Sequence, residues 1–92
     1  MKYEITFTSK FKKDIKRIKK RGYDLNLLRD VISILANGDQ LDPKYNDHAL
    51  SGEFKGCREC HIEPDWLLVY EIAEMELILY LTRTGTHSDL FE

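Results

Sequence analysis

No stretch of this 92-residue chain is apolar for long. The most apolar segment, Trp66 to Tyr70, ends at Glu71, far short of the about 20 residues that span a bilayer. The opening MKYEITFTSK has no apolar core of the secretory-signal kind, so a cytoplasmic protein with no membrane association is expected. Cysteine is scarce: two residues with no export signal suggest reduced thiols rather than a disulfide framework. No repeat, low-complexity tract or linker interrupts the chain, and the length suits a single domain over residues 1–92. Net charge is nearly absent as well, at -2.

What is present is unevenly spread. Residues 1–30 hold ten Lys and Arg against four Asp and Glu, a net of +6, which leaves -8 for residues 31–92. Such a split hints at a basic surface facing an acidic or phosphate-rich partner. The hydrophobic fraction of 42% is too high for a disordered chain.

Tyr3 to Phe7 alternates apolar and polar residues and predicts a short strand. Thr8 or Ser9 can cap a helix whose Phe11, Ile15 and Ile18 share a face, ending at Gly22. Asp24 can cap a second helix with Leu28, Val31, Ile32 and Leu35 on one face, ending at Asn37-Gly38. Residues 38–56 read as a long loop with little periodicity, and long loops are often functional. Three strands joined by short turns follow, over 57–62, 66–72 and 76–83. The expected class is α+β: an N-terminal strand and a two-helix hairpin packed on an antiparallel sheet.

Cys57-Arg58-Glu59-Cys60-His61 matches the CxxCH haem-attachment pattern. Strand alternation opposes it, because Cys57 and His61 then share a face while Cys60 points away. The same parity works against zinc held by both cysteines and the histidine. Two reduced cysteines packed as small hydrophobes are expected instead.

His48, His61 and His87 lie in three separate segments, with Asp65 and Arg83 near strand ends. Histidine exchanges protons near neutrality, and arginine offers an always-charged fork for phosphate. Without a carboxylate cluster for magnesium, this set suits metal-free phosphodiester chemistry. Trp66 and Phe91 could stack a base, although core packing also accounts for Trp66 and a covering tail for Phe91. The basic run from Lys10 to Arg21 could be a solvated helix face or a phosphate-backbone contact.

Three ordered blocks then resemble one family. Lys44-Tyr45-Asn46-Asp47-His48-Ala49-Leu50-Ser51-Gly52 is similar to a K-x-x-D-H-x-L-x-G signature. Arg58 to Trp66 resembles R-[DE]-x-H-x-x-P-D-W, and Arg83 to Phe91 resembles R-x-G-[TS]-H-x-x-L-F. Both belong, with the first, to the YafQ family of bacterial toxins within the RelE superfamily.

The resemblance implies a RelE-like ribonuclease fold and a ribosome-dependent mRNA interferase that cuts mRNA in the A site without metal or other cofactor. It implies His48, His61, Asp65 and His87 as the proton-transfer and positioning group, with His87 as general acid. The base stays open among His48, His61 and Asp65. Arg83 would hold the transition-state phosphate, Phe91 would orient the mRNA, and Trp66 would support the substrate site. The implied partners are the ribosome, mRNA and a DinJ- or RelB-like antitoxin, with operator DNA reached only through that antitoxin. The alternative is a non-catalytic toxin of the same fold, like the ParE-like proteins that bind gyrase. Cys57 and Cys60 fall at variable positions of the signature.

Overall fold

The computed structural model describes residues 1–91. The elements are β1 (Glu4–Phe7), α1 (Ser9–Lys20), α2 (Leu25–Ala36), β2 (His48–Ala49), β3 (Arg58–Glu63), β4 (Trp66–Ala73), β5 (Ile78–Gly85) and α3 (His87–Phe91). Both long helices start where a capping side chain can accept an otherwise free backbone N–H. Thr8 accepts from Phe11 N at 3.0 Å and Asp24 from Asn26 N at 3.0 Å. No helix among the described residues is long and apolar enough to cross a membrane.

The five strands form one sheet in the order β1-β5-β4-β3-β2. The expected antiparallel meander is present, and the sheet as a whole is mixed because β1 joins it in parallel. β2 to β5 pair antiparallel, but β1 lies parallel to β5, with Glu4 beside Ile78 and Phe7 beside Leu81. An alternating pattern says that a strand exists, not whom it pairs with or in which direction. The chain leaves β1 through the two-helix hairpin and only later forms the meander, so β1 takes the free edge of its last strand.

The long loop is also more ordered than its composition suggests. It holds two short 3-10 turns, Pro43–Tyr45 and Gly52–Phe54. Between them, β2 sets His48 opposite Glu59 and Ala49 opposite Arg58.

The two sheet faces differ. α1 and α2 cover one face, burying Phe11, Ile18, Leu28, Val31 and Leu35 against Cys60, Trp66, Leu68, Tyr70, Leu79 and Leu81. The other face carries a smaller apolar cluster of Leu67, Val69 and Leu90, packed with Leu50, Phe54 and Cys57. Cys57 and Cys60 therefore lie on opposite faces, as strand parity requires, and both are free thiols. The candidate site occupies the second face.

Candidate active site

Register across the sheet builds the site. His48 on β2 opposes Glu59 on β3, Glu59 opposes Val69 on β4, and Val69 opposes Arg83 on β5. Directly opposed residues share a face, so these four form one row on the lightly covered side. The neighbouring row runs His61, Leu67, Gly85. The two histidines from distant segments thus become neighbours, with ring centroids 6.1 Å apart.

The third imidazole arrives by a sharp return of the chain. Gly85 ends β5 with φ of +152°, a conformation that side chains with a Cβ rarely adopt. A Cβ there would lie 2.8 Å from an Asp89 carboxylate oxygen, so glycine lets α3 fold back closely. Thr86 and Asp89 then cap α3 reciprocally: Thr86 N donates to Asp89 Oδ2 at 3.0 Å, and Asp89 N donates to Thr86 Oγ1 at 3.1 Å. This places the His87 ring 5.9 Å from His61 and 6.4 Å from Phe91.

Hydrogen bonds orient each ring. Asp65 Oδ1, on the turn between β3 and β4, accepts both from His87 N at 3.0 Å and from the ring Nδ1 at 2.6 Å. These bonds hold the Asp65 carboxyl below its ordinary range, the backbone bond contributing most. A carboxylate only accepts, so Nδ1 carries the hydrogen and Nε2 faces outward. His48 Nδ1 lies 2.8 Å from the carbonyl of Asn46, a residue in the left-handed region at φ 49°. His61 Nδ1 lies 3.3 Å from the carbonyl of Pro64. Both of these rings therefore also present Nε2, and both direct it at one carboxylate. Glu59 Oε1 is 3.5 Å from His48 Nε2 and 3.4 Å from His61 Nε2.

The arrangement juxtaposes three imidazoles on an open face, one of them backed by a carboxylate. It can donate and accept protons at two points about a small anionic group. Phe91 lies beside it, 45% exposed, with its ring edge-to-face on Phe54 at 5.6 Å.

The same architecture recurs in known proteins. Residues 3–92 match the family model described as bacterial toxin of type II toxin–antitoxin system, YafQ. The chain belongs to the YafQ family of toxins. The mRNA interferase toxin YafQ of Escherichia coli K12 is 39% identical over 89 residues, covering 96% of this chain and 95% of that protein. A metal-bound toxin from Helicobacter pylori is 49% identical with a TM-score of 0.91, covering 97% of this chain and 99% of that one. The E. coli DinJ–YafQ complex matches at 38% identity and a TM-score of 0.89, covering 98% and 99%.

Within this YafQ-family fold the remaining candidates have distinct places. Arg83 begins on the site face, but its guanidinium is held by Asp14 of α1. Nε donates to Asp14 Oδ2 at 2.7 Å and Nη2 to Oδ1 at 3.1 Å. No contact with the histidine rings is formed. Trp66 is 1% exposed on the opposite, helix-covered face. Its Nε1 donates to Thr84 Oγ1 at 2.9 Å, and its ring stands edge-to-face on Tyr23 at 5.0 Å. That leaves no ring face for a base, so Trp66 supports the sheet beneath the site.

Three carboxylates escaped the sequence reading. Glu59 sits two residues before His61, and the period of two puts both on one face. Asp14 is 1% exposed on the inner face of a basic helix, and nothing local marks it. Asp89 binds Arg21 through both oxygens, at 2.6 and 3.0 Å, and lies 3.5 Å from Arg17. Two cations of the basic run are therefore spent docking α3, the helix that carries His87. The lysines at 10, 12, 13, 16, 19 and 20 remain exposed.

Proposed function

We propose that this toxin, an endoribonuclease of the mRNA interferase class, cuts mRNA in the ribosomal A site by attack of the RNA's own 2′-OH. The reading rests on one observation above the others: three imidazoles from three segments meet on one face, with Asp65 fixing the tautomer of His87.

RNA carries its nucleophile next to the scissile phosphate. A base takes the 2′-OH proton, the oxygen attacks phosphorus, and an acid protonates the departing 5′-oxygen. The products are a 2′,3′-cyclic phosphate and a 5′-OH, and no outside reactant is consumed. His87 acts as the acid: it enters the step as the imidazolium and passes its Nε2 proton to the departing 5′-oxygen, while Asp65 keeps the hydrogen on Nδ1 and orients the ring. Asp65 is occupied by this task, which shifts the base to His61 or His48. Asp14 takes the Nε–Nη2 edge of Arg83 and leaves Nη1 for the phosphate. Phe91 is exposed beside His87 and stacks on a base flanking the cut.

The exposed lysines of α1 meet phosphate backbones without sequence preference. An antitoxin, like the DinJ bound to the E. coli relative, masks the toxin in the cytoplasm.

The test is mapping of cleavage ends on mRNA in purified programmed ribosomes. Wild-type toxin should cut in the A-site codon, and His87→Ala should cut about 100- to 10,000-fold more slowly. Asp65→Asn should slow cutting less, because it removes orientation but not the acid. His87 is exposed, so the substitution leaves the fold intact and a thermal melt checks it. Full cleavage by His87→Ala, or no cleavage by folded wild type, refutes the proposal.

A further inference from the structure

Two large apolar side chains stand exposed on either side of the histidine group. Phe91 lies beyond His87, its ring 6.4 Å from that imidazole. Leu27 of α2 is 38% exposed, although Leu28 and Val31 of the same helix are buried. It lines an open cleft of about 440 Å³, within the size range of small-ligand pockets. Asp30 of α2, Tyr45 of the first 3-10 turn, and His61, Glu63 and Pro64 around the end of β3 line it too.

His61 belongs to both places. Its ring lines the cleft, with Nδ1 3.3 Å from the Pro64 carbonyl, and also stands 5.9 Å from His87. Asn46, whose carbonyl lies 2.8 Å from His48 Nδ1, lines the cleft as well. The cleft therefore adjoins both candidate general bases, and neither His87 nor Phe91 lines it.

We infer that this cleft takes the nucleobase of the nucleotide 5′ to the cut, so that RNA runs 5′ to 3′ from the cleft, past His61 and His87, to Phe91. The inference rests on the ribonuclease reading above.

The direction follows from the chemistry. The 2′-OH that loses its proton belongs to the nucleotide 5′ to the scissile phosphate, and the oxygen that gains one belongs to the nucleotide 3′ to it. The proton acceptor is His61 or His48 and the donor is His87. The upstream ribose thus lies on the His61 side, next to the cleft, and the downstream ribose lies next to Phe91. Leu27, Tyr45 and Pro64 offer the upstream nucleobase apolar and aromatic surface.

The polar wall adds selectivity. Asp30 and Glu63 carry carboxylates, which only accept hydrogen bonds. Adenine, cytosine and guanine each have an exocyclic amine to donate. Uracil has two carbonyls instead and sets lone pairs against the carboxylates. Lys44, exposed on the same cleft and 5.2 Å from the Tyr45 ring centroid, supplies a cation for the RNA phosphate that precedes this nucleotide.

NMR titration of isotope-labelled toxin with cytidine 3′-monophosphate tests the subsite without any cleavage. Amides of Leu27, Tyr45 and His61 should shift, and those of Phe54 and Phe91 should not. Uridine 3′-monophosphate should bind about threefold or more weakly. The Asp30→Asn/Glu63→Gln variant should lose that preference; both positions are exposed, so the fold is kept and a thermal melt checks it. On programmed ribosomes, Leu27→Trp fills the cleft and should flatten discrimination among nucleobases 5′ to the cut, leaving that 3′ to the cut unchanged.

Shifts confined to Phe54 and Phe91, or no shifts in folded toxin, overturn the subsite. Equal binding of the cytidine and uridine phosphates overturns the amine selection. Unaltered choice of the 5′ nucleobase by Leu27→Trp overturns the cleft as a subsite for RNA. Cleft binding by a folded toxin that cuts no mRNA supports the nucleotide site and overturns the ribonuclease reading, and cutting without cleft binding does the reverse.

Discussion

The Asp14–Arg83 pair allows a quantitative forecast. Asp14 is buried and accepts three hydrogen bonds: two from the Arg83 guanidinium and one from Thr84 N at 3.1 Å. The last serves a stretch of β5 that has lost its strand neighbour, since β1 ends at Phe7 and the chain turns into α1. Replacing Arg83 by Gln strips the carboxylate of its main counter-charge. Only Thr84 N and the more distant Arg17 Nη1, at 3.8 Å, then remain.

Breaking a buried pair on one side costs about 3–5 kcal/mol. The residual partners place this case at the lower end, about 3 kcal/mol. For a chain this size, that lowers Tm by on the order of 15 °C. Asp14→Asn in the same background removes the stranded charge while its amide oxygen still accepts from Thr84 N. The double variant should therefore be more stable than Arg83→Gln alone, with a coupling energy of at least about 2 kcal/mol. Urea and thermal unfolding of the four proteins of the cycle measure it. Additive effects, with coupling below about 0.5 kcal/mol, would refute the reasoning. The result also governs how Arg83 variants are assayed: cleavage must be measured well below the lowered Tm, or unfolding will pass for lost catalysis.

Two further outcomes follow from charge and burial. Arg21 and the Thr86 cap hold the Asp89 carboxyl well below the usual range. A depressed folded-state value means stability that is complete above the unfolded value of about 4 and is lost as pH falls toward the folded one. Urea midpoints should hold between pH 5 and 7 and drop at pH 3, with Asp89→Asn less stable at pH 7 but flatter with acid; an equally steep acid limb would contradict this. Burial pushes the Cys60 thiol up to about 12. Iodoacetamide at pH 8 should label at most Cys57 in native toxin, and equal native labelling of Cys60 would show that the core is not closed over it.

The helices, their caps and four of the five strands follow from local rules. Thr8 and Asp24 cap where their side chains can reach a free N–H, and Phe11, Ile18, Leu28 and Val31 repeat at helical spacing. Parity alone separated Cys57 from Cys60 and set His61 on the face of Cys57; helix packing then made that the lightly covered face. The signature blocks carried the family and all four residues of the histidine set now found together, since His48, His61, Asp65 and His87 each stand in one of the blocks. Tertiary structure decided the rest. A strand pattern holds no information on partner, so the parallel β1–β5 pairing and the two-residue β2 emerge only when edges meet. Burial separated the aromatics, sending Trp66 under the sheet and Phe91 to the surface. Long-range ion pairs redefined the charged residues. Arg17 and Arg21 dock α3, Asp14 grips Arg83 from 69 residues away, and Glu59 faces two histidines at once. Side-chain spacing along a chain fixes which face a residue occupies; which opposite charge it meets there depends on how distant segments pack.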